Sequence, residues 1–281
     1  MGTYSRVRPR SRGLSIGRII VALLVAGFAL ISYFGSSAYN PVTDEEQHVA
    51  ITKEQEIALG LQSAPELTQQ FGGLHPDQEA QAYLDQVCQD IISSSQASET
   101  EYPFECNLLD DPQTINAFAL PGGPVFITSA LFNQLETEGQ LAGVMAHEIG
   151  HVVARHSAQQ IARQQLAQGL SGAAVIATYD PNDPRTQQTA QVALLISQVV
   201  NMRFGREDEL QSDSLGVRFM ADAGYDPRAM LRVMEILAQA SEGNRPPEFF
   251  STHPNPENRI ANIEQAIAEE FPNGVPEGLE P

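Results

Sequence analysis

The stretch AHEIGH, residues 146–151, decides the fold of this chain. Residues four apart on an α-helix differ by only ~40° around its axis, so His147 and His151 project from one face, about one turn apart. Two imidazoles placed in this way can hold one zinc ion at ~2.0–2.1 Å per bond. Glu148 lies on the next row of the helix, where it can reach a water at the ion without binding the ion itself. This spacing is typical of zinc metalloproteases, in which the glutamate is the general base.

The residues around the motif predict one long helix, from Thr137 to about Gln168. Leu141, Val144 and Met145 form an apolar stripe before the motif, at helical spacing. The two histidines and the glutamate therefore lie on the buried side of the helix, where unpaired polar groups cost several kcal/mol. A bound metal ion accounts for this burial better than a chance match of three fixed residues.

The N-terminus has the pattern of an export signal or a membrane anchor. Residues 1–18 carry five arginines and no acid, and no charge follows from residue 19 through residue 43. As a helix, the unbroken apolar run that begins at residue 19 spans ~24 Å. This length is borderline between a signal peptide and a helix that crosses a membrane core of ~30 Å. We expect a basic cytoplasmic segment over 1–18 and a transmembrane anchor or signal peptide over 19–39. An uncleaved single-pass anchor is favoured over cleavage before Tyr39, and in either case the positive-inside rule exports everything after residue 40.

Charge and cysteine content bound the partners and the compartment. Without the five N-terminal arginines, the net charge of −19 becomes −24. An acidic exported domain excludes nucleic acid as a partner and disfavours anionic lipid surfaces. Cys88 and Cys106 are the two cysteines. Because an exported domain meets an oxidising compartment, we expect a disulfide between them, the alternative being two separate buried thiols.

The remaining pattern predicts an α+β fold that is mostly helical. We expect one metallopeptidase domain over 40–270, whose first residues, 40–50, form a polar linker, and a disordered tail over 271–281. Helices are predicted at Lys53–Gln70, Pro76–Ser94, Gln187–Phe204, Glu207–Ala223, Pro227–Ser241 and Pro256–Glu269. Short strands are predicted at Phe104–Leu109, Ile115–Leu120 and Val125–Ser129. The predicted architecture is a zincin-like metallopeptidase domain with a small β-sheet beside the zinc helix.

Two histidines cannot complete a catalytic zinc site, because such a site has three protein ligands and one open position. No other histidine has a suitable spacing on a convincing helix, so we expect a carboxylate from the acidic helix start at 206–213. Glu209 and Asp213 share a helix face, so one can bind zinc while the other accepts a hydrogen bond from a ligand histidine. Spacing alone does not choose between Glu207 and Glu209.

Four stretches of the chain carry a resemblance to a known family. They are Asn116-Ala117-Phe118-Ala119-Leu120-Pro121-Gly122-Gly123, Ala146-His147-Glu148-Ile149-Gly150-His151, Arg206-x-x-Glu209-x-x-x-Asp213, and Thr252-His253-Pro254 with Arg259 downstream. This combination resembles the HtpX/Oma/CAAX-prenyl-protease family of zinc endopeptidases over roughly residues 50–270. Among its members, the chain is most similar in type to exported, BepA-like bacterial proteins, without their helical-repeat domain.

The resemblance implies roles that spacing leaves open. It assigns the third zinc ligand to Glu209 and makes Asp213 the hydrogen-bond partner of a ligand histidine. It also places His253 near the metal, where this side chain either stabilises the developing oxyanion or closes the site as an extra ligand. Ser212 stands where the family usually has alanine, which leaves the ligand positions intact.

The predicted function is that of a zinc-dependent endopeptidase with polypeptide substrates. The strand that starts at Asn116, Ala117 and Phe118 can pair with an extended substrate, since backbone pairing reads shape more than sequence. We therefore expect quality control of unfolded or misassembled envelope proteins. The expected location is the bacterial inner membrane with the catalytic domain in the periplasm, or the soluble periplasm after signal cleavage.

A different class of function also fits the motif. The chain could serve as a catalytically quiet, zinc-containing chaperone or binding factor anchored in the membrane. The intact Glu148 argues against this alternative, because a structural zinc site has no use for a general base.

Overall fold

The computed structural model describes residues 16–178, 204–241, 247–253 and 258–281. The chain divides into two compact units, and the smaller comprises Met1–Gly35 with Arg163–Asn201. The larger unit, Ser36–Ala162 with Met202–Pro281, contains the motif helix. In the described part of the chain, one helix, Ile16–Phe34, is long and apolar enough to cross a membrane by length and composition.

The described residues form a mostly helical structure with two small sheets, and this agrees with the predicted α+β class. The helices are α1 (Ile16–Phe34), α2 (Lys53–Gln70), α3 (Gln78–Ser94), α4 (Ser129–Phe132), α5 (Glu138–Val153), α6 (His156–Thr178), α7 (Arg206–Asp222), α8 (Ala229–Ser241), α9 (Phe249–Thr252) and α10 (Arg259–Glu270). The strands are β1 (Ser37–Asn40), β2 (Glu45–His48), β3 (Glu105–Leu109), β4 (Ala117–Ala119) and β5 (Pro124–Thr128). The predicted helix at Gln187–Phe204 lies almost wholly outside the described residues.

The three-stranded sheet lies beside the motif helix, in the order β3-β5-β4. The central strand β5 is parallel to β3 and antiparallel to β4, and all its residues are buried. The disulfide between Cys88 and Cys106 joins α3 to β3, with a Cα–Cα separation of 6.6 Å. Helix α3 is therefore fixed covalently to the strand on which it packs.

The outer edge of β3 is blocked by a side chain. Gln81 Nε2 donates to Cys106 O at 2.9 Å, and Leu108 N donates to Gln81 Oε1 at the same distance. The amide of Gln81 thus occupies the positions that a further strand would use, which protects the edge from pairing with another chain. Strand β4 forms the other edge of this sheet.

The predicted single helix from Thr137 to Gln168 is wrong, because the structure breaks it at Arg155. Thr137 caps α5, its side chain accepting a hydrogen bond from Gln140 N, and α6 begins only at His156. Arg155 lies between them at φ +58°, a left-handed conformation that costs a non-glycine residue about 1–2 kcal/mol. Its guanidinium group offsets this cost by donating from Nε to Glu56 Oε2 at 2.9 Å and from Nη2 to Ile51 O at 2.9 Å.

The polar linker predicted at 40–50 also differs from the structure, which forms the antiparallel hairpin β1–β2 there. Asn40 Nδ2 donates to Val153 O at 2.9 Å, so the hairpin satisfies a carbonyl at the end of α5. The strands are four residues long and mostly polar, and for this reason their sequence has no clear alternation of apolar residues.

The last residues likewise differ from the predicted disordered tail over 271–281. Gly139 N donates to Pro281 O at 2.8 Å, which pairs a free amide of the first turn of α5. Glu280 N donates to Gly224 O at 3.0 Å, and Asp226 N donates to Glu280 O at 2.8 Å. Backbone pairing of this kind leaves little trace in the side-chain pattern, so composition alone suggested disorder.

Candidate metal centre

The two motif histidines meet on the buried face of α5. Their Nε2 atoms lie 3.1 Å apart, and both side chains are almost fully buried. Ile149 and Met145 on the same helix are completely buried in the core. The packing of α5 therefore fixes the direction of both imidazoles, as the i, i+4 spacing predicts.

Helix α7 and the segment after α9 supply two further donors. Glu209 Oε2 lies 3.6 Å from His147 Nε2, Glu209 Oε1 lies 3.5 Å from His151 Nε2, and His253 Nδ1 lies 3.1 Å from Glu209 Oε1. The four candidate ligand atoms of these residues are all within 4.8 Å of one another. Glu207 is exposed, so the structure brings Glu209 and not Glu207 into the cluster.

The spacing of the donors matches a tetrahedral ion. Ligand atoms at ~2.0–2.1 Å from a common centre lie about 3.3 Å from one another in tetrahedral geometry. The measured separations run from 3.1 Å for His147 Nε2–His151 Nε2 to 3.6 Å for His147 Nε2–Glu209 Oε2. Without a cation between them, the cost of burying these nitrogen and carboxylate groups so close together would be only partly offset.

Several polar atoms at this cluster are buried and have no hydrogen-bond partner among the described residues. They include both carboxylate oxygens of Glu148, Nε2 of His253, and Oε2 of Glu209, which lies 3.3 Å from Arg259 Nη1 without a hydrogen bond to it. A buried polar group without a partner costs about 1–3 kcal/mol, so this concentration needs a ligand to explain it. A cation with a bound water fits, because it would pair with the Glu209 oxygen and place a donor beside Glu148.

An acid and an arginine fix one of the histidines from behind. His147 Nδ1 lies 2.9 Å from Asp213 Oδ1. Arg259 in turn donates from Nε to Asp213 Oδ2 at 2.8 Å and from Nη2 to Oδ1 at 2.7 Å. A carboxylate at this distance favours the tautomer of His147 with its proton on Nδ1, and this tautomer leaves Nε2 free to bind a metal.

A second chain of contacts orients His151. Its Nδ1 lies 2.9 Å from His156 Nδ1, and His156 Nε2 lies 2.9 Å from Gln211 Oε1. Gln211 Nε2 then donates to Glu45 Oε2 at 2.7 Å. If His151 carries its proton on Nδ1, each group in this row donates to the next, and Nε2 again faces the cluster. The helix break at Arg155 makes these contacts possible, because it brings His156 back toward His151. The sequence did not predict them.

Two phenylalanines pack against the histidine rings. Phe204 stacks on His151 with ring centroids 4.3 Å apart, and Phe249 stacks on His253 with centroids 4.5 Å apart. Phe249 N also donates to Ile115 O at 3.2 Å, which ties α9 to the segment before β4. No helical or strand period singles out either ring, so the sequence did not predict their position.

The pKa values of Glu148 and Glu209 are shifted in opposite directions. Burial raises the pKa of Glu148 above its usual value, and nearby cationic groups oppose this only in part. Burial alone would also raise the pKa of Glu209, but the charge of His253 and the hydrogen bond with His147 outweigh it and lower that pKa. One carboxylate is therefore poised to accept a proton, and the other stays ionised as a ligand requires.

Strand β4 presents a backbone edge near these groups. Backbone bonds from Thr128 N to Asn116 O and from Leu120 N to Pro124 O mark the hydrogen-bonded pairs with β5. By the alternation of antiparallel strands, the backbone groups of Ala117 and Ala119 point away from β5. Asn116 and Ala117 are buried. Phe118 is half-buried and stacks on Phe126 with centroids 5.0 Å apart.

Comparison with known proteins identifies the family. The sequence model of peptidase family M48 matches residues 78–267, more than half of the chain. The chain is 37% identical over 174 residues to the beta-barrel assembly-enhancing protease of Escherichia coli, which covers 60% of this chain and 35% of that protein. It is 29% identical over 273 residues to the mitochondrial metalloendopeptidase OMA1 of Schizosaccharomyces pombe, covering 95% of this chain and 76% of that protein.

These matches agree with the resemblance inferred from the four motifs. The chain spans about a third of the length of the beta-barrel assembly-enhancing proteases that it matches. The matched region includes the two motif histidines, Glu148, Glu209 and His253, which the structure brings together. The chain is therefore a metallopeptidase of family M48.

Proposed function

We propose that this chain is a zinc-dependent endopeptidase that acts outside the cytoplasm on unfolded or misassembled envelope proteins. The observation that carries the proposal is the buried Glu148 beside the four-donor cluster. Its oxygens have no hydrogen-bond partner among the described residues, and Oε1 lies 3.5 Å from His253 Nε2. A chaperone with structural zinc would gain nothing from this unsatisfied carboxylate.

In the proposed mechanism, His147, His151 and Glu209 would hold a zinc ion, which when bound would supply Lewis acidity. Glu148 accepts the proton of the attacking water and then delivers it to the leaving amine. Burial raises the pKa of this carboxyl group, which suits both transfers. Asp213 keeps the ligand imidazole in one tautomer and orientation throughout.

The proposed substrate is an extended polypeptide lying along β4. The outward backbone groups of the partly exposed Ala119 can pair with a substrate strand without reading its sequence, whereas Ala117 is buried. The opposite edge of the sheet is blocked by Gln81, so pairing is directed to the side that faces α5 and α9. This arrangement supports unfolded chains as substrates, since a folded protein rarely offers a free strand.

Cleavage of an unfolded protein tests the proposed function. We expect the purified exported domain to cleave casein in the metal-loaded state. A chelator should abolish the activity, and added zinc should restore it. Metal content measured beside activity separates the alternatives. A zinc-loaded, folded protein that binds casein without cutting it would support the chaperone hypothesis and contradict the proposal.

His253 gives a separate prediction, because its Nδ1 lies 3.1 Å from Glu209 Oε1 and its Nε2 lies 3.5 Å from Glu148 Oε1. An oxyanion donor at this position should lower kcat by ~10²–10³-fold when changed to alanine, with little loss of zinc. An additional ligand that closes the site should instead raise basal cleavage on the same change. Unchanged kcat/KM in a folded, zinc-loaded His253→Ala protein would contradict both roles.

We also propose that α1 anchors the protein in a bacterial inner membrane, with the domain from about residue 40 onward in the periplasm. The arginines of residues 1–18 and the charge-free stretch that follows support this orientation. A reporter fused after residue 50 should behave as exported, and the protein should remain with membranes. A mature N-terminus at Tyr39 would replace the anchor with a cleaved signal.

A further inference from the structure

A second cavity lies away from the metal centre, where the hairpin β1–β2 meets the start of α2 and the end of α5. Its free volume is about 120 Å³, and the proposed zinc ligands and Glu148 do not line it. Tyr102 and Val153 in its lining are buried, whereas Tyr39, Lys53 and Glu99 are exposed, so the cavity opens to the surface. An apolar cavity of ~150 Å³ can hold benzene, so a group of roughly six to eight heavy atoms fits here.

Three charged side chains line this cavity, and one of them is already neutralised. Arg155 contacts the buried Glu56 Oε2 through Nε at 2.9 Å and Nη2 at 2.8 Å, which leaves its Nη1 as a donor. Lys53 Nζ lies 5.7 Å from the centroid of the Tyr102 ring, so this ammonium group lies over a buried part of the lining. Within the described part of the chain, neither Lys53 nor Glu99 forms an ion pair. The cavity therefore offers one ammonium and one carboxylate to a ligand.

This pair of opposite charges favours a ligand that carries both signs. A simple anion would meet the carboxylate of Glu99 and the large excess of acid in the domain. A simple cation would meet Lys53 and Arg155. A zwitterion gains a partner for each of its charges and adds no net charge to an acidic protein.

The position of Tyr39 in the chain points to a membrane as the source of this ligand. Tyr39 follows Phe34, the last residue of α1, by five residues, and this length of extended chain spans at most ~18 Å. Because α1 is the proposed anchor, the opening of the cavity can reach the headgroup layer, where tyrosine is enriched. The headgroup of phosphatidylethanolamine carries a phosphate and an ammonium, and it lacks the net charge by which an anionic lipid would repel this domain.

We propose that the cavity binds a phosphoethanolamine group, with its phosphate at Lys53 and Arg155 and its ammonium at Glu99, and that a membrane lipid supplies it. The lipid source rests on the proposed anchoring by α1, whereas the chemistry of the cavity does not. A headgroup held in this way gives the domain a second contact with the membrane, beside the single helix that tethers it.

The first test measures binding of soluble headgroup analogues to the full chain, purified in an uncharged maltoside detergent, by isothermal titration calorimetry. We expect glycerophosphoethanolamine to bind at least ~5-fold more tightly than glycerol 3-phosphate, ethanolamine or glycine, the upper end of the effect of one exposed ion pair. Glycerol 3-phosphate lacks the ammonium, ethanolamine lacks the phosphate, and glycine carries both charge signs without a phosphate. The comparison therefore separates the phosphoethanolamine group from each of its parts.

Two exposed residues of the lining can be changed with little risk to the fold. Lys53→Gln should weaken binding of glycerophosphoethanolamine by ~5-fold or more, and Lys53→Arg should restore it. Glu99→Gln should abolish the preference for glycerophosphoethanolamine over glycerol 3-phosphate. Glu101→Gln makes the same chemical change two residues further on, at an exposed position outside the lining, and should bind as the wild type does.

The second test identifies the source. Full-length protein in nanodiscs of equal parts phosphatidylethanolamine and phosphatidylglycerol should retain one phosphatidylethanolamine per chain in native mass spectrometry, and Lys53→Gln and Glu99→Gln should lose it. If the soluble analogue binds but no variant changes the retained lipid, the lipid source is wrong. Equal binding of glycine would make the cavity a site for amino-acid zwitterions and refute the headgroup assignment. Absence of binding, or equal binding by Lys53→Gln, Glu99→Gln and wild type, would refute the site itself. A mature N-terminus at Tyr39 would refute the anchor alone, because the same titration of the cleaved protein still tests the cavity.

Discussion

Glu148→Gln is expected to lower peptide hydrolysis by at least ~10²-fold while zinc content and fold remain those of the wild type. Glutamine has the same shape as glutamate but cannot accept the proton of the attacking water. The side chain at this position is fully buried, and its oxygens have no hydrogen-bond partner among the described residues. The substitution therefore removes a proton acceptor and the charge 3.5 Å from His253 Nε2, but it removes no hydrogen bond and no ligand.

A glutamate on the same helix gives a matched control. Glu138 lies in the first turn of α5, ten residues or about 15 Å from Glu148, and its Oε1 accepts a hydrogen bond from Tyr225 at 2.9 Å. Glu138→Gln makes the same chemical change away from the cluster and should retain activity. Hydrolysis should be measured per zinc-loaded molecule, with metal analysis and thermal melting of each variant. Wild-type turnover in a zinc-loaded Glu148→Gln protein would refute the general-base assignment.

The part of the site that lies on one helix was predictable from sequence. His147, Glu148 and His151 are fixed relative to one another by helical geometry, and helical geometry is a local property. The third carboxylate was harder. Spacing left Glu207 and Glu209 open, and only the family resemblance chose between them before the burial of Glu209 could be seen.

Contacts made by tertiary packing were not predictable in the same way. The break at Arg155 depends on Glu56 and on Ile51 O, about a hundred residues earlier in the chain. The helix propensity of arginine gives no sign that Arg155 is left-handed, so the sequence predicts a continuous helix through this residue. The contact between His151 and His156 was therefore not predicted, because a continuous α-helix would place His156 away from the ligand face.

The fold shows the same division between local and distant information. The bounds of α2 were predicted from local signals, Thr52 as the cap and acidic residues in the first turn, and the structure adds a capping box between Thr52 and Gln55. The hairpin β1–β2 was missed, since its stability comes from contacts such as Asn40 with Val153 O and Arg218 Nη2 with Val42 O. Such bonds pair groups whose separation in sequence carries no periodic signal.

Glu209→Gln is expected to lose zinc, whereas Glu207→Gln should bind it as the wild type does. The two glutamates lie two residues apart in the first turn of α7, so each variant removes one charge from the same helix end. Glu209 is fully buried, with its carboxylate 3.1–3.6 Å from nitrogens of three histidines, whereas Glu207 is exposed. The difference between the variants therefore measures coordination, since any effect of the helix dipole is common to both.

Asp213→Ala provides an internal scale for this prediction. Asp213 contacts the ligand His147 and is not one of the four clustered donors, so its loss should weaken zinc affinity by ~10–100-fold. Loss of a direct ligand should exceed that range, and competition with a chelator of known affinity measures all three variants on one axis. If Glu207→Gln binds zinc more weakly than Glu209→Gln does, the assignment of Glu209 as the third ligand is wrong. We expect zinc affinity to be lowest for Glu209→Gln, intermediate for Asp213→Ala and highest for Glu207→Gln. This order would assign the third ligand by affinity, independently of catalysis.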